Sequence, residues 1–253
     1  MPDSNKRPIP NGDILFRRER IFKEARLLVP LPPESDCSVP DGLEQGNKKT
    51  GLSGQKFDWV FVWNLPLRVT CPGASDWCNE HCYNSDNRKD VYPMEKWQRN
   101  WWWAINEPSL LQAKIIQQLE SKKDKRIGVR FHSCGDFYSV EYIKMWHEIC
   151  SAFSQVRFWG YSRSWAVPDL LCHINELANL ENVNLFASWD SSMTEAPIGW
   201  NRSIVASTND EVKQYQLVGN AYICPEQYKQ IDCCADCALC TQRKGGSVVF
   251  ILH

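Results

Sequence analysis

The spacing of apolar residues changes several times along the chain, and each change marks a new kind of element. KFDWVFVWNL at 56–65 alternates and is rich in aromatic and β-branched residues, which predicts a strand. MEKWQRNWWWAINEPSLLQAKIIQQLESKK, residues 94–123, has helical spacing and predicts one or two helices with Pro108 at a break. RIGVRFHS (126–133) predicts a strand and EYIKMWHEICSAF (141–153) an amphipathic helix. VRFWGYS (156–162) then predicts a strand and PDLLCHINELANL (168–180) a helix. VNLFASW (183–189), RSIVAST (202–208) and NAYIC (220–224) predict further short strands.

Strand and helix thus alternate at least three times, the signature of βαβ units around a parallel sheet. The fold class expected is α/β, a partial (β/α)6 TIM-like barrel of about six strands, with a doubly wound sheet as the competitor. Residues 51–218 form the barrel core. Residues 219–253 supply a cysteine-rich segment and a final strand. Residues 1–50 lack periodicity and carry VPLPPESDCSVPDG and EQGNKKTG. They predict an arm around the domain, with a short helix near 17–27. GNKKTG lacks the GxxxxGK[ST] spacing of a phosphate loop.

In either α/β architecture ligands sit at the C-terminal ends of the strands. The unusual residues fall there: a cysteine loop after the first strand, HSCGDF after the second, YSRSW after the third and WDSSM after the fourth.

Composition changes this picture in one respect. The 253 residues carry 12 cysteines and 12 tryptophans, and the N-terminus shows no apolar secretory stretch. A cytoplasmic setting is expected, in which structural disulfides explain so many cysteines poorly and metal ligation explains them better. No run of 18 apolar residues suggests a membrane span. The net charge of -1 and the pI near 6.5 argue against duplex binding by bulk electrostatics. The run at 17–26 reads as a solvated helix face and KKDKR at 122–126 as a polar linker.

The cysteines divide into three groups. Cys150 and Cys172 on helices, with Cys37 and Cys134, are expected to be packing residues, Cys134 near the pocket. Cys224, Cys233, Cys234, Cys237 and Cys240 form CPEQYKQIDCCADCALC, where three thiols repeat every third residue. That spacing favours an iron–sulfur cluster on Cys224, Cys234, Cys237 and Cys240, with Cys233 spare or an alternative ligand. A four-cysteine zinc site is the competing reading. Cys71, Cys78 and Cys82 form C-x6-C-x3-C. Three thiolates leave one position of a 4Fe–4S cluster open, as catalytic sites do, unless His81 closes a zinc site.

Three cysteines after the first strand of such a barrel resemble radical S-adenosylmethionine enzymes. More closely, TCPGASDWCNEHCY, VRFHSCGDFYS, FWGYSRS and CPEQ…CADCALC, in order over about residues 45–253, resemble the phage gene product 88 family of three-Cys-motif proteins. The usual radical-enzyme spacing is C-x3-C-x2-C, from which this chain departs.

The resemblance implies a 4Fe–4S cluster on Cys71, Cys78 and Cys82, whose fourth iron chelates S-adenosylmethionine and yields a 5′-deoxyadenosyl radical for C–H activation. It places Tyr83 beside the last cysteine, and Gly135-Asp136 where a GGE-type motif holds the methionine ammonium, with Asp136 as acceptor. Ser188 is placed as a ribose contact. Ser162 is a further cofactor-binding candidate. Arg130 or Arg163 would hold a carboxylate or substrate anion. His132 would line the pocket, on the same face as Arg130 by strand alternation. Asp136 capping the next helix and His132 as a satisfied core histidine are the plainer roles. The C-terminal cluster would be auxiliary. An electron donor such as flavodoxin or ferredoxin and a nucleic-acid, nucleotide-like or peptide substrate are implied. The competing functions are a zinc-binding, non-catalytic nucleic-acid-binding or structural protein, and a non-radical iron–sulfur redox protein.

Overall fold

The computed structural model describes residues 39–82, 91–190, 192–193, 195–219, 221–242 and 246–252. The expected helix near 17–27, Cys37 and Tyr83 lie outside the described residues.

Eight strands form one sheet: β1 (Glu44–Gln45), β2 (Trp59–Trp63), β3 (Ile127–Phe131), β4 (Arg157–Ser162), β5 (Val183–Trp189), β6 (Arg202–Ala206), β7 (Tyr222–Ile223) and β8 (Val248–Ile251). Their order is β1-β2-β3-β4-β5-β6-β8-β7. Only β1 runs antiparallel, pairing Glu44 with Val62. The strands from β2 to β6 and then β8 are parallel neighbours. A doubly wound sheet reverses its strand order partway; this sheet runs in sequence from β1 to β6 and turns back only at its far edge, where β8 lies between β6 and β7.

Helices fill the crossovers. α1 (Asp76–Glu80), α2 (Val91–Asn106) and α3 (Pro108–Glu120) follow β2, α4 (Val140–Ala152) follows β3 and α5 (Pro168–Asn179) follows β4. α6 (Asn209–Gly219) follows β6, and α7 (Cys234–Cys237) is a single turn near the end. Pro108 sits in the first turn of α3, where its missing N–H costs nothing, so one periodic run becomes two helices.

The register puts Val129, Phe158 and Val183 on one face, and the same face continues through Ala187, Ile204 and Val249. This face packs against the helices. Phe61, Trp63, Phe131 and Leu185 meet Leu111, Ile115, Trp146, Ile149, Leu170 and Ile174 in the main core. Trp101 and Trp103 are buried there, and Trp102 packs half-buried at its edge. Cys150 is buried, as expected, but Cys172 is exposed. The buried stripe of α5 is Leu170, Ile174 and Leu177, and position 172 points away from it.

The other face carries Val60, Arg130, Trp159, Tyr161, Asn184 and Phe186, and it too is covered. Trp159 and Val60 pack with Phe57, Cys233 and Ala235, and Phe186 packs with Cys224 and Val248. Burial on both faces explains why the strands read as near-continuous apolar runs. No helix is long and apolar enough to cross a membrane among the described residues.

Candidate metal and cofactor site

The first functional loop leaves β2 and is pinned by close backbone contacts. Arg68 adopts a left-handed φ of 67° and its guanidinium donates to the Asn79 carbonyl at 2.8 Å. A Cβ on Gly73 would stand 2.0 Å from the Arg163 carbonyl oxygen, so only glycine lets this loop touch the end of β4. Ser75 caps α1 by accepting from the Cys78 N–H at 3.0 Å. Its hydroxyl in turn donates to Asp190 Oδ2 at 2.7 Å. The loop carrying Cys71, Cys78 and Cys82 is thereby tied to the end of β5.

The loop after β3 meets it. Asn64 Oδ1 accepts from the Cys134 N–H at 3.1 Å, and the Leu65 N–H donates to the Cys134 carbonyl at 3.0 Å. Gly135 has φ 82°, and a Cβ there would stand 2.6 Å from Leu65 Cβ. Asp136 is buried and its carboxylate accepts three bonds: Phe137 N–H at 2.8 Å, Ser162 hydroxyl at 2.7 Å and Arg163 N–H at 2.7 Å. Burial pushes its carboxyl up, against the Arg163 amide, the Ser162 hydroxyl and the Phe137 amide. Asp136 does not cap α4; Ser139 does, accepting from the Tyr142 N–H.

Arg163 is buried and committed to a partner. Its guanidinium pairs with Asp190 and also donates to Ser75 Oγ at 3.3 Å and Met193 Sδ at 2.8 Å. Against the cost of its burial, hydrogen bonds from Ser192, Ser75 and Arg163 hold the Asp190 carboxyl down at about 2. Arg163 thus ties β4 to β5 and the cysteine loop, in place of the expected free anion contact. Its charge also favours the Cys78 thiolate, although burial outweighs it and pushes that thiol up.

His132 departs from the strand alternation expected for it. The strand ends at Phe131, and His132 has φ 43°, which turns the ring toward Phe137 and Tyr142 and away from the face that carries Arg130. Trp63 Nε1 donates to Tyr142 Oη at 2.6 Å. Tyr142 Oη lies 2.8 Å from His132 Nε2. The phenol can donate to Nε2 or accept from it, and the state of Nδ1 follows from the ring tautomer. That Nδ1 is buried with no hydrogen-bond partner among the described residues. Burial drops the ring to about 3, so it is neutral.

These loops enclose a cavity of about 220 Å³ at the C-terminal ends of the parallel strands. Cys71, Cys78, Cys82, Cys134, Asp136 and Arg163 line it, together with Arg130, His132, Gly135 and Ser188. Of the cofactor candidates, Ser162 is fully buried behind this wall, its hydroxyl donating to Asp136 and accepting from the Ser164 N–H. His81 also lines the cavity and stacks on Trp77 at 4.6 Å, with Nδ1 3.1 Å from the Trp77 carbonyl.

The second cysteine group lies further down the same sheet face. Lys49 and Thr50 carbonyls accept from the Cys234 and Ala235 N–H groups, each at 2.9 Å. GNKKTG is therefore the seat of α7 and not a phosphate loop. The neighbouring thiols disfavour the ionisation of Cys234, Cys237 and Cys240, and burial first of all pushes Cys234 up to about 12. Tyr161 Oη donates to Cys240 Sγ at 3.0 Å, and Tyr222 Oη lies 3.3 Å from the same sulfur. Cys233 turns away into the Phe57–Trp159 cluster, with Sγ 3.4 Å from Asp236 Oδ2. Cys234, and not Cys233, thus faces the other three thiols.

Among the described residues no group of three or more His, Cys, Asp or Glu side chains is arranged to grip a single metal ion. The thiols line a space instead of converging on a point. The donor set itself, three to four desolvated thiols in each place, suits soft-metal or iron–sulfur ligation, because ligation removes the cost of ionising a buried thiol.

Sequence reasoning missed Asp190, Ser75 and Asn64, and it set Cys134 aside as packing. Asp190 stands inside WDSSM and Cys134 inside HSCGDF, two strand-end segments whose unusual residues were visible in the sequence.

No solved structure matches this chain. Two curated relatives do: the Gene 88 protein of Mycobacterium phage D29 is 26% identical over 193 residues, covering 68% of this chain and 78% of its own. The Gene 88 protein of Mycobacterium phage L5 is 24% identical over 192 residues, covering 68% and 77%. The family profile described as Gene product 88 matches residues 41–244, so the chain belongs to the gene product 88 family.

Proposed function

We propose that this protein is a radical S-adenosylmethionine enzyme built on a partial (β/α)6 barrel, with an auxiliary iron–sulfur cluster at its C-terminus. The observation that carries the reading is the cavity: Cys71, Cys78 and Cys82 share it with Arg130, Gly135, Asp136 and Ser188 at the C-terminal ends of sequential parallel strands. Cys71, Cys78 and Cys82 would hold a 4Fe–4S cluster, and Cys224, Cys234, Cys237 and Cys240 a second. Bound there, the reduced cluster would supply one electron to cleave the sulfonium of S-adenosylmethionine and generate a radical for C–H activation.

The chain's own residues bind and orient. Ser75 and the Arg163–Asp190 pair fix the cysteine loop, and Asp136, at the cavity wall, would accept from an ammonium. Arg130, on the same wall, attracts a carboxylate. Trp77 and Phe250 give the cavity apolar surface that excludes water. The substrate is of the nucleic-acid, nucleotide-like or peptide class, the electron donor a flavodoxin or ferredoxin, and the setting the cytoplasm of the host cell.

Anaerobically reconstituted protein given dithionite and S-adenosylmethionine should produce 5′-deoxyadenosine. The reading is abandoned if none forms and Cys71→Ala leaves the iron spectrum unchanged. The four-thiol C-terminal group, with its fifth cysteine turned away, favours a second reading as a closed structural zinc site. Metal analysis separates the two: about eight irons with sulfide for two four-iron clusters, or about two zincs.

A further inference from the structure

The loop cavity contains a fourth thiol that the three-cysteine motif leaves out. Cys134 is 4% exposed and lines the same cavity as Cys71, Cys78 and Cys82. It is not there by slack packing. Its backbone is bonded on both sides to the segment that leads into Cys71, through Asn64 Oδ1 and the Leu65 N–H. The adjacent Gly135 permits this approach, because any side chain would meet Leu65 Cβ at 2.6 Å and Thr70 Oγ1 at 2.7 Å. The two strand-end loops are thus built to bring this thiol to the other three.

We infer that Cys134 is the fourth thiolate ligand of the loop site, closing it at rest so that a co-substrate must displace it to reach the metal. The inference rests on the reading of Cys71, Cys78 and Cys82 as metal ligands and deepens it by making the open position a regulated one. Electrostatics agree. Burial chiefly pushes the Cys134 thiol up, and Cys71 and Cys82, which line the same cavity, add to that push. The backbone amides of Gly135 and Leu67 pull the other way, as donors facing a thiolate do. Cys150, buried on α4 in the main core, is raised by burial alone.

The test compares the full chain with Cys134→Ala, Cys134→Ser and Cys150→Ala after anaerobic reconstitution with iron and sulfide. Cys150 does not line the cavity, so its variant reports what losing a buried thiol does by itself. In both Cys134 variants, iron should leave the loop site for a chelator at least about tenfold faster than in the wild type, since even weaker perturbations of a metal's surroundings cost that much. Mild oxidation should produce a three-iron electron-paramagnetic signal in those variants and far less of it in the wild type. Adding S-adenosylmethionine, which would chelate the iron that Cys134 no longer holds, should slow iron loss and lower the three-iron signal in the variants. Cys150→Ala should match the wild type throughout. Wild-type iron retention in both Cys134 variants overturns the inference, whatever the activity. If the chain takes up zinc and no iron, the enzymatic reading fails. The ligand role of Cys134 is then decided by zinc retention in the same variants: at least about tenfold weaker supports it, and equal retention overturns it.

Discussion

The two cysteine groups share one sheet face but are held by different forces. The loop group stands at the strand ends, around a cavity, and is positioned by buried polar contacts: Ser75 on Asp190, Arg163 on Asp190, and Arg163 and Ser162 on Asp136. The C-terminal group lies against aromatic rings and is clasped through backbone bonds from Lys49 and Thr50. A site secured by charge and hydrogen bonds beside a cavity can be opened by pH or by a ligand. One embedded in a hydrophobic layer acts as part of the fold. On the proposed reading, the first would carry the exchange chemistry and the second would serve for anchorage or electron storage.

Acid should separate the two most strongly. His132 lies under the loop group, and its folded value of about 3 is below the ordinary 6.5 because of burial. A lowered value means that the stability it contributes is complete above pH 6.5 and drains away as pH falls toward 3. The full difference is on the order of 5 kcal/mol. Urea midpoints should therefore fall with pH below 6.5, and His132→Asn should flatten that slope. An unchanged slope in the variant would mean that other groups carry the acid sensitivity.

Next in size is the ion pair. Arg163→Ala leaves the Asp190 carboxylate buried without its cationic partner and should cost about 3–5 kcal/mol in denaturant unfolding. On the proposed metal-binding reading, the distinctive readout is metal content: the loop group should lose its metal while the C-terminal group keeps its own. Loss of both together would show that the two groups form one cooperative unit. Gly73→Ala should act in the same direction more weakly, by about 1–3 kcal/mol, because the added methyl meets the Arg163 carbonyl and the loop must shift.

What the sequence disclosed divides along the same line as the two sites. Periodicity located β2 to β6 and the helices α2 to α5, because each buries a long apolar stripe. It passed over α6, whose NDEVKQYQLVG is mostly polar and buries Val212, and over β1, a two-residue strand whose partner lies 18 residues on. The metal candidates were legible as spacings within one segment. The polar frame was not, since Asp190 joins Ser75 across 115 residues and Arg163 across 27. Cys134 was hidden for the same reason: its meaning depends on a neighbouring strand end. His132 lines the cavity as expected, but its ring leaves the face of Arg130 because strand alternation stops one residue before it, at a backbone angle that composition does not reveal.

The smallest expected effect tests the C-terminal side alone. Tyr161 donates its hydroxyl to Cys240 Sγ at 3.0 Å, while its ring packs 5.4 Å from Phe186 and 5.6 Å from Phe250. Tyr161→Phe keeps the ring and removes one O–H···S bond, so the fold should tolerate it at a cost of about 1 kcal/mol. A hydrogen bond to a ligating sulfur draws off negative charge and makes a cluster easier to reduce. On the iron–sulfur reading, the variant should lower the C-terminal potential by about 40 mV for a one-electron couple, the equivalent of that 1 kcal/mol. The loop group's potential should stay where it was. Tyr222→Phe should do the same to a lesser degree, since its oxygen is further off, at 3.3 Å. Redox titration followed by electron paramagnetic resonance reads both. Because Tyr161 also lines the loop cavity, a matching shift in both potentials would mean that the ring couples the two groups electrically, and the division between them would fail at that residue.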